Sequence, residues 1–365
     1  MTHMLALRGF EGEKVARAAQ VEIPQLNDDD VLVKVKSAGL TAGTFILLEV
    51  GALRPLPMTL GHEGAGIVTD VGRDVTQFKA GDRVRIHPTM SCGRCGHCLV
   101  GLQQYCEGAA LIGFVALGRQ PVKEYARNRD GCLAEYVRVP QGQLDRLPDN
   151  ISFDAGAKLH YLANALRNLR VASLPPASTL MILGATGAMG TATIKMARYM
   201  GVARIILVAR STERLQAIRA LSDLPTDVVA LDGLGPDWVK SQGLATKVVE
   251  IVPEGADAII DYTPAGGDIW QAMSGLATGG RLVNMGGAPT PFTVPMRMLV
   301  AKCWQIIGTR NHSRIDAHEV TQLMARGQLH IDDLITHKLP LTEVERAVKI
   351  LRARDEPVWM SVINP

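Results

Sequence analysis

Thr179-Leu180-Met181-Ile182-Leu183 runs straight into Gly184-Ala185-Thr186-Gly187-Ala188-Met189-Gly190, and apolar residues then recur along 189–200. A short apolar run bounded by glycine reads as a strand buried on both faces, and the segment after it reads as a helix. Small residues at such a turn let the backbone approach a pyrophosphate closely. The helix N-terminus then offers unpaired N–H groups and a partial positive charge to that anion. Ala185 stands where the dinucleotide fingerprint usually begins with glycine, so taken alone the turn also fits an ordinary strand-to-helix connection. Its flanks favour the dinucleotide reading.

Working outward from this turn, strands are expected at 179–183, 204–208, 228–231, 258–261, 281–284 and 305–308. Helices are expected between most of them, at 189–200, 212–221, 245–252 and 269–276. Strand alternating with helix implies an α/β architecture with a doubly wound parallel sheet. An NAD-type site carries an acid about 20 residues beyond the glycines, bonded to the ribose 2′-OH. Here that place holds Ala209, then Arg210 and Ser211, with Arg214 one turn later. A carboxylate would repel a 2′-phosphate, whereas a guanidinium forms paired, charge-assisted hydrogen bonds with it. The cofactor expected is therefore NADPH/NADP+; two solvent-facing arginines are the plainer alternative.

Before residue 150 the pattern is different. Val31, Val33 and Val35 alternate with Leu32, Lys34 and Lys36, as in a strand with one buried face. Segments 64–68 and 83–86 read as further strands, giving a glycine-rich, β-barrel-like domain. Beyond 312, helices are expected at 317–325 and 341–354, and an apolar segment at 359–363 is expected to return to the first domain. The boundaries expected are 1–150, 151–312 and 313–365. Residues 118–130, with Arg119, Lys123, Arg127 and Arg129, read as a solvated surface loop, with a border of the active-site mouth as the other reading.

Composition excludes several classes. The chain has 365 residues, 47% hydrophobic and 21% charged, with a net charge of +3. That charge is too mild, and too evenly spread, for a nucleic-acid partner. No apolar run is long enough to span a bilayer, and the N-terminal residues lack a secretory pattern. A cytoplasmic protein with a small-molecule substrate is the expectation.

Four of the six cysteines fall together, in Cys92-Gly93-Arg94-Cys95-Gly96-His97-Cys98 and then Cys106. Four thiolates so spaced can close a tetrahedron around Zn²⁺, with no open position, which makes the site structural. Free or redox-active thiols and an iron–sulfur cluster also fit the spacing, although nothing else suggests electron transfer. His97, between two cysteines, reads as a bystander.

These pieces occur in a fixed order: Gly61-His62-Glu63, Gly81-Asp82-Arg83-Val84, the cysteine cluster, Leu133-Ala134-Glu135-Tyr136 and the glycine turn. Across nearly its whole length the chain resembles the zinc-containing alcohol dehydrogenase branch of the medium-chain dehydrogenase/reductases. The resemblance implies a GroES-like catalytic domain built from both termini around a Rossmann domain, and a homodimer or homotetramer. It also implies that Thr263, Met285, Gly286, Gly308 and Thr309 line the cofactor.

The resemblance further implies a catalytic zinc on a Cys, a His and a later Cys or acid, with a segment of the form Gly-x-Cys-His-Thr-Asp. The matching segment is Gly39-Leu40-Thr41-Ala42-Gly43-Thr44. Thr41 takes the first ligand position, Gly43 replaces the proton-relaying hydroxyl, and Thr44 replaces the supporting acid. His62 matches the histidine ligand and Glu63 its neighbour. His160, in a helix expected at 155–169, aligns with the later ligand; His160 and Tyr161 are candidate proton donors, with His62 as a second imidazole. Three readings follow: hydride transfer to a small carbonyl or α,β-unsaturated carbonyl without catalytic zinc, a zinc alcohol dehydrogenase with ligands His62, His160 and Glu63, or a cofactor-binding homologue without chemistry.

Overall fold

The computed structural model describes residues 2–264, 269–287, 291–353 and 355–365. They form two compact units, Met1–His160 with Ser313–Pro365, and Tyr161–His312. The division falls inside one long helix, Phe153–Ala172.

The second unit is built on a six-stranded parallel sheet. Its spatial order is Thr226–Ala230, Val202–Ala209, Ser178–Leu183, Ala256–Asp261, Leu276–Asn284, Gln305–Gly308. Numbered along the chain this is 3-2-1-4-5-6, the Rossmann order, which reverses direction beside the first strand. Every residue of Ser178–Leu183 is buried, because helices cover both faces of such a sheet. The helix expected over 269–276 is shorter: it covers Ile269–Met273, and Leu276 already begins the next strand. Gly275 gives its carbonyl to the N–H of Ala256, a bond that joins the start of this strand to its neighbour. The helix expected over 341–354 is a 3₁₀ turn, Leu341–Glu343, followed by Val344–Ala353; Arg354 lies outside the described residues.

In the first unit the long strand Asp30–Leu40 pairs with Gly64–Val71, Tyr136–Pro140 and Met360–Asn364. Val31, Val33 and Val35 point into the core while Lys34 is exposed, following the alternation in the sequence. Met360–Asn364 lies between that strand and Ile335–Pro340, so residues from beyond 312 complete the sheet. No helix among the described residues is long and apolar enough to cross a membrane.

Candidate active site and metal centre

Leu40 ends the long strand, and Thr41 opens the helix Ala42–Glu49. Threonine at such an N-cap ordinarily bonds to the helix's own backbone. Thr41 does not: its hydroxyl donates to Glu63 Oε1 at 3.2 Å. Glu63 and His62 precede the strand Gly64–Val71, in a segment pinned by two backbone bonds. The N–H of Gly61 donates to the Gly113 carbonyl at 2.9 Å, and that of Cys132 to the Gly61 carbonyl at 2.7 Å. The helix Phe153–Ala172, whose first turn is capped by the Ser152 hydroxyl, supplies Lys158 and His160.

These residues converge in the first unit. Lys158 Nζ donates to Glu63 Oε2 at 2.6 Å and to the Leu40 carbonyl at 3.2 Å. Both partners of the ion pair have fully buried side chains, at 0% exposure. His62 Nε2 lies 3.8 Å from Glu63 Oε1. The His62 ring meets His160 edge-on at 4.9 Å and tilts against Phe114 at 4.8 Å. A Cβ at Gly39 would sit 1.9 Å from Glu63 Oε2 and 2.9 Å from Lys158 Nζ. Only a residue without a side chain lets the strand close over this pair.

Burial pushes the Lys158 ammonium down from the ordinary lysine range, and the Glu63 charge opposes the shift. His62 is also pushed down, first by burial, with Glu63 opposing and Lys158 adding. A neutral imidazole follows, and its buried Nδ1 has no hydrogen-bond partner among the described residues. Sequence reasoning had placed Thr41, His62, Glu63 and His160 in this site, and they do meet. Tyr161 is buried too but opens the second unit. Gly43 has open space around it, and Thr44 is buried.

The donor set bears on whether a zinc ion fits here. Ligand atoms of His62, Glu63 and His160 lie within 4.8 Å of one another. Two histidines and a glutamate are a known zinc-binding set. The charge, however, is wrong. One Glu63 oxygen holds an ammonium and the other accepts from Thr41. A divalent ion about 4 Å from that ammonium would be repelled by roughly 8 kcal/mol at an effective dielectric constant of about 20. To enter, it must expel the proton or the side chain, so the residues present do not fit a catalytic zinc.

The four cysteines do fit a structural zinc. Sγ atoms of Cys92, Cys95, Cys98 and Cys106 all lie within 4.8 Å of one another. Cys95–Cys98 is 3.5 Å and Cys92–Cys98 4.0 Å. A tetrahedron with metal–sulfur bonds of about 2.3 Å has edges of roughly 3.8 Å. Backbone N–H groups of Arg94 and Cys95 hold the Cys92 thiol down to about 6, while burial pushes Cys98 up to about 11. A cation at the centre would satisfy both sulfurs. His97 is not one of the grouped ligands, and its ring stands edge-on to Tyr105 at 5.9 Å.

In the second unit, Gly184, Ala185, Thr186 and Gly187 form the turn, and the helix Ala188–Ala197 starts at an N-cap, Gly187, with no side-chain cap. Its first N–H groups are left for a ligand. A Cβ at Gly190 would strike the Ala185 carbonyl at 2.2 Å, so glycine lets this helix, with Met189 in its first turn, pack against the turn. Ala209 ends its strand and Arg210 is exposed. Ser211 caps the next helix, its hydroxyl accepting the N–H of Arg214 at 3.3 Å. Thr263, Met285, Gly286, Gly308 and Thr309 all lie at the same, C-terminal, ends of the strands. Thr263 is fixed by two bonds to Asp261 Oδ1, and a Cβ at Gly286 would lie 2.3 Å from the Thr263 carbonyl. Behind them Tyr262 OH meets Thr193 at 2.7 Å and Asn168 at 2.8 Å, and burial pushes the phenol up to about 12.

Comparison with known proteins gives this architecture its family. The model of the alcohol dehydrogenase GroES-like domain matches residues 27–149, and that of the zinc-binding dehydrogenase domain matches residues 188–326. A relative from Aspergillus clavatus named "Probable D-xylulose reductase A" is 32% identical over 351 residues, covering 94% of this chain and 92% of the relative. The chain belongs to the zinc-type medium-chain dehydrogenase/reductases. A second relative of this dehydrogenase/reductase, an NAD-dependent alcohol dehydrogenase of Sulfolobus acidocaldarius, is 32% identical over 344 residues, 91% of each chain. Among solved structures, an NADP-bound protein of Sinorhizobium meliloti assigned as a zinc-binding dehydrogenase superposes with a TM-score of 0.85 at 26% identity, covering 100% of both chains.

Sequence reasoning missed Lys158 and Phe114 in this dehydrogenase/reductase. The signal for Lys158 was a single charge inside Ala155-Gly156-Ala157-Lys158-Leu159, a stretch otherwise free of polar side chains. Phe114 carried no comparable signal.

Proposed function

We propose that this dehydrogenase/reductase is an NADP(H)-dependent enzyme that transfers hydride between the nicotinamide and a small carbonyl or α,β-unsaturated carbonyl compound, with no zinc at the catalytic centre. The observation that carries the reading is the buried contact between Lys158 and Glu63, together with Thr41 at the first ligand position. The nicotinamide supplies or accepts the hydride when bound. The helix start at Ala188 would hold its pyrophosphate, and Arg210 and Arg214 the 2′-phosphate.

The chain's own work is on the oxygen. A carbonyl that gains hydride needs a hydrogen bond while charge develops and then a proton. His62 is held by two rings, and its Nδ1 is unengaged among the described residues, so it is the donor this site offers; His160 edges against it. As a neutral imidazole His62 donates a hydrogen bond to the developing oxyanion and keeps its proton, and the proton that completes the alcohol is taken from solvent as the product leaves. Conjugation, as in an enone, eases this demand by spreading the charge. The four cysteines would hold one structural zinc, which secures the fold of residues 92–106. A homodimer or homotetramer in the cytoplasm completes the reading.

NADPH oxidation measured against aldehydes, ketones, enones and ketoses such as D-xylulose, with zinc counted per chain, tests it. Turnover with one zinc per chain, unaffected by mild chelation, is expected. The second reading, a zinc enzyme on His62, His160 and Glu63, is favoured by their mutual 4.8 Å proximity. It predicts a second zinc lost together with activity. No turnover on any substrate, with NADPH still bound, would indicate the homologue without chemistry.

A further inference from the structure

We propose that the Lys158 side chain is the resident cation of the His62–Glu63–His160 cluster, and that its presence is what keeps a divalent metal ion out. The inference rests on the reading of a centre that works without zinc, and it supplies the cause.

The donors themselves would suit a metal. Two imidazoles and a carboxylate, all buried, bring ligand atoms within 4.8 Å of one another. Hard and borderline divalent ions bind such sets. What differs from a metal site is that the Glu63 carboxylate is already neutralised. Lys158 Nζ sits 2.6 Å from Oε2, where a metal–oxygen bond would otherwise form.

A surface lysine could step aside, but this one is clamped. Its ammonium also donates to the Leu40 carbonyl at 3.2 Å, which ties it to the strand end beside Thr41. Gly39 brings that strand so close that even a methyl group would overlap the carboxylate. With both side chains at 0% exposure, neither water nor salt screens the repulsion an entering cation would meet. Lys158 is thus a positioning residue: it fixes the charge and orientation of Glu63, and through Glu63 the hydroxyl of Thr41 and the face of His62.

Removing the ammonium while keeping the donors should create a metal site. The experiment is metal counting by mass spectrometry on the full chain, equilibrated with low-micromolar free Zn²⁺, for the parent, Lys158→Met, Lys158→Arg and Lys158→Met with Glu63→Gln. Expected counts are one zinc per chain for the parent and for Lys158→Arg, two for Lys158→Met, and one again for the double variant. Co²⁺ added to Lys158→Met should show visible d–d bands in excess of those of the thiolate site, with no added sulfur charge-transfer absorption. Lys158→Gln, which keeps a hydrogen-bonding side chain without charge, replaces the methionine variant if that variant is insoluble. A count of one in both neutral variants overturns the inference and leaves the metal-free reading standing. A count of two in the parent overturns that reading and the inference with it.

Discussion

Replacing Lys158 by Met strands the Glu63 carboxylate in a place water does not reach. The two groups are in contact at 2.6 Å and neither side chain is exposed. Breaking a pair of this kind costs about 3–5 kcal/mol, since the surviving charge is left without compensation. There is also a ceiling. A glutamate carboxylate in water titrates near ~4.3, so taking up a proton at pH 7 costs about 3.7 kcal/mol, and the site escapes by that route once the penalty exceeds it. The expected loss at pH 7 is therefore about 3–4 kcal/mol. For a unit of this size, each kcal/mol lowers the melting temperature by about 2–4 °C, so a fall of about 6–16 °C follows. The loss should shrink toward pH 5, where protonating the carboxylate is easier. The assay is calorimetric melting without added zinc and without chelator, so that the thiolate site keeps any ion it holds. Lys158→Met combined with Glu63→Gln removes both charges and should recover at least about 2 kcal/mol of the loss expected from adding the single variants. Additive single losses, or a loss below about 1 kcal/mol at pH 7 for Lys158→Met, would refute the argument.

Other expectations concern separate parts of the molecule. Cys95→Ser should bring the zinc count of the otherwise unaltered protein from one to none and loosen residues 92–106, read out by elemental analysis and by hydrogen exchange of that segment. Arg210→Ala should weaken NADPH binding about 10- to 150-fold, the equivalent of a charge-assisted bond of roughly 1.5–3 kcal/mol, and leave NADH nearly unchanged in a fluorescence titration. Burial alone would raise the Asp154 carboxyl, but hydrogen bonds from Lys338 and from Asn364, each at 2.8 Å, win and hold it below its usual value. A depressed carboxyl stabilises the fold above the unfolded value of ~3.9 and loses that contribution as pH falls through the folded one. Lys338→Met should accordingly lower the melting temperature at pH 7 more than at pH 3.

Much of this architecture was legible because it follows from local periodicity. The apolar run of 179–183 ending in glycine could hardly be anything but a buried strand, and the spacing of four cysteines needed no tertiary information. Element ends were less legible. The helix that includes Ile269 gives way early to a strand, where Leu276 pairs with Ala256 in the sheet, a partner that local periodicity does not show. That Ser211 caps the following helix, its hydroxyl accepting the N–H of Arg214, was not read from the sequence. The candidate site was half legible. His62, Glu63 and His160 stood out as ligand-type residues, but Lys158 acquires meaning only beside a glutamate 95 positions away, and no pattern along the chain marks that pairing.

The strand Met360–Asn364 fixes an order of events during synthesis. It pairs Ser361 with Leu40 and Val362 with Gly39, the residues that carry the chain into Thr41. Its asparagine, Asn364, also reaches the Lys36 carbonyl at 3.1 Å. On the ribosome these partners emerge only after every residue of the second unit, Tyr161–His312, has been made. The second unit is continuous in sequence and can fold as it appears, whereas the first must wait with an open strand edge facing solvent. A nascent or truncated chain ending before residue 360 would hold the glycine turn after Leu183 in a finished unit while exposing the edge at Ala38–Leu40 to other chains. Aggregation of such fragments should therefore begin at Ala38–Leu40, the end of the strand that Tyr136–Pro140 does not cover, and a peptide with the sequence of residues 358–365 should suppress it.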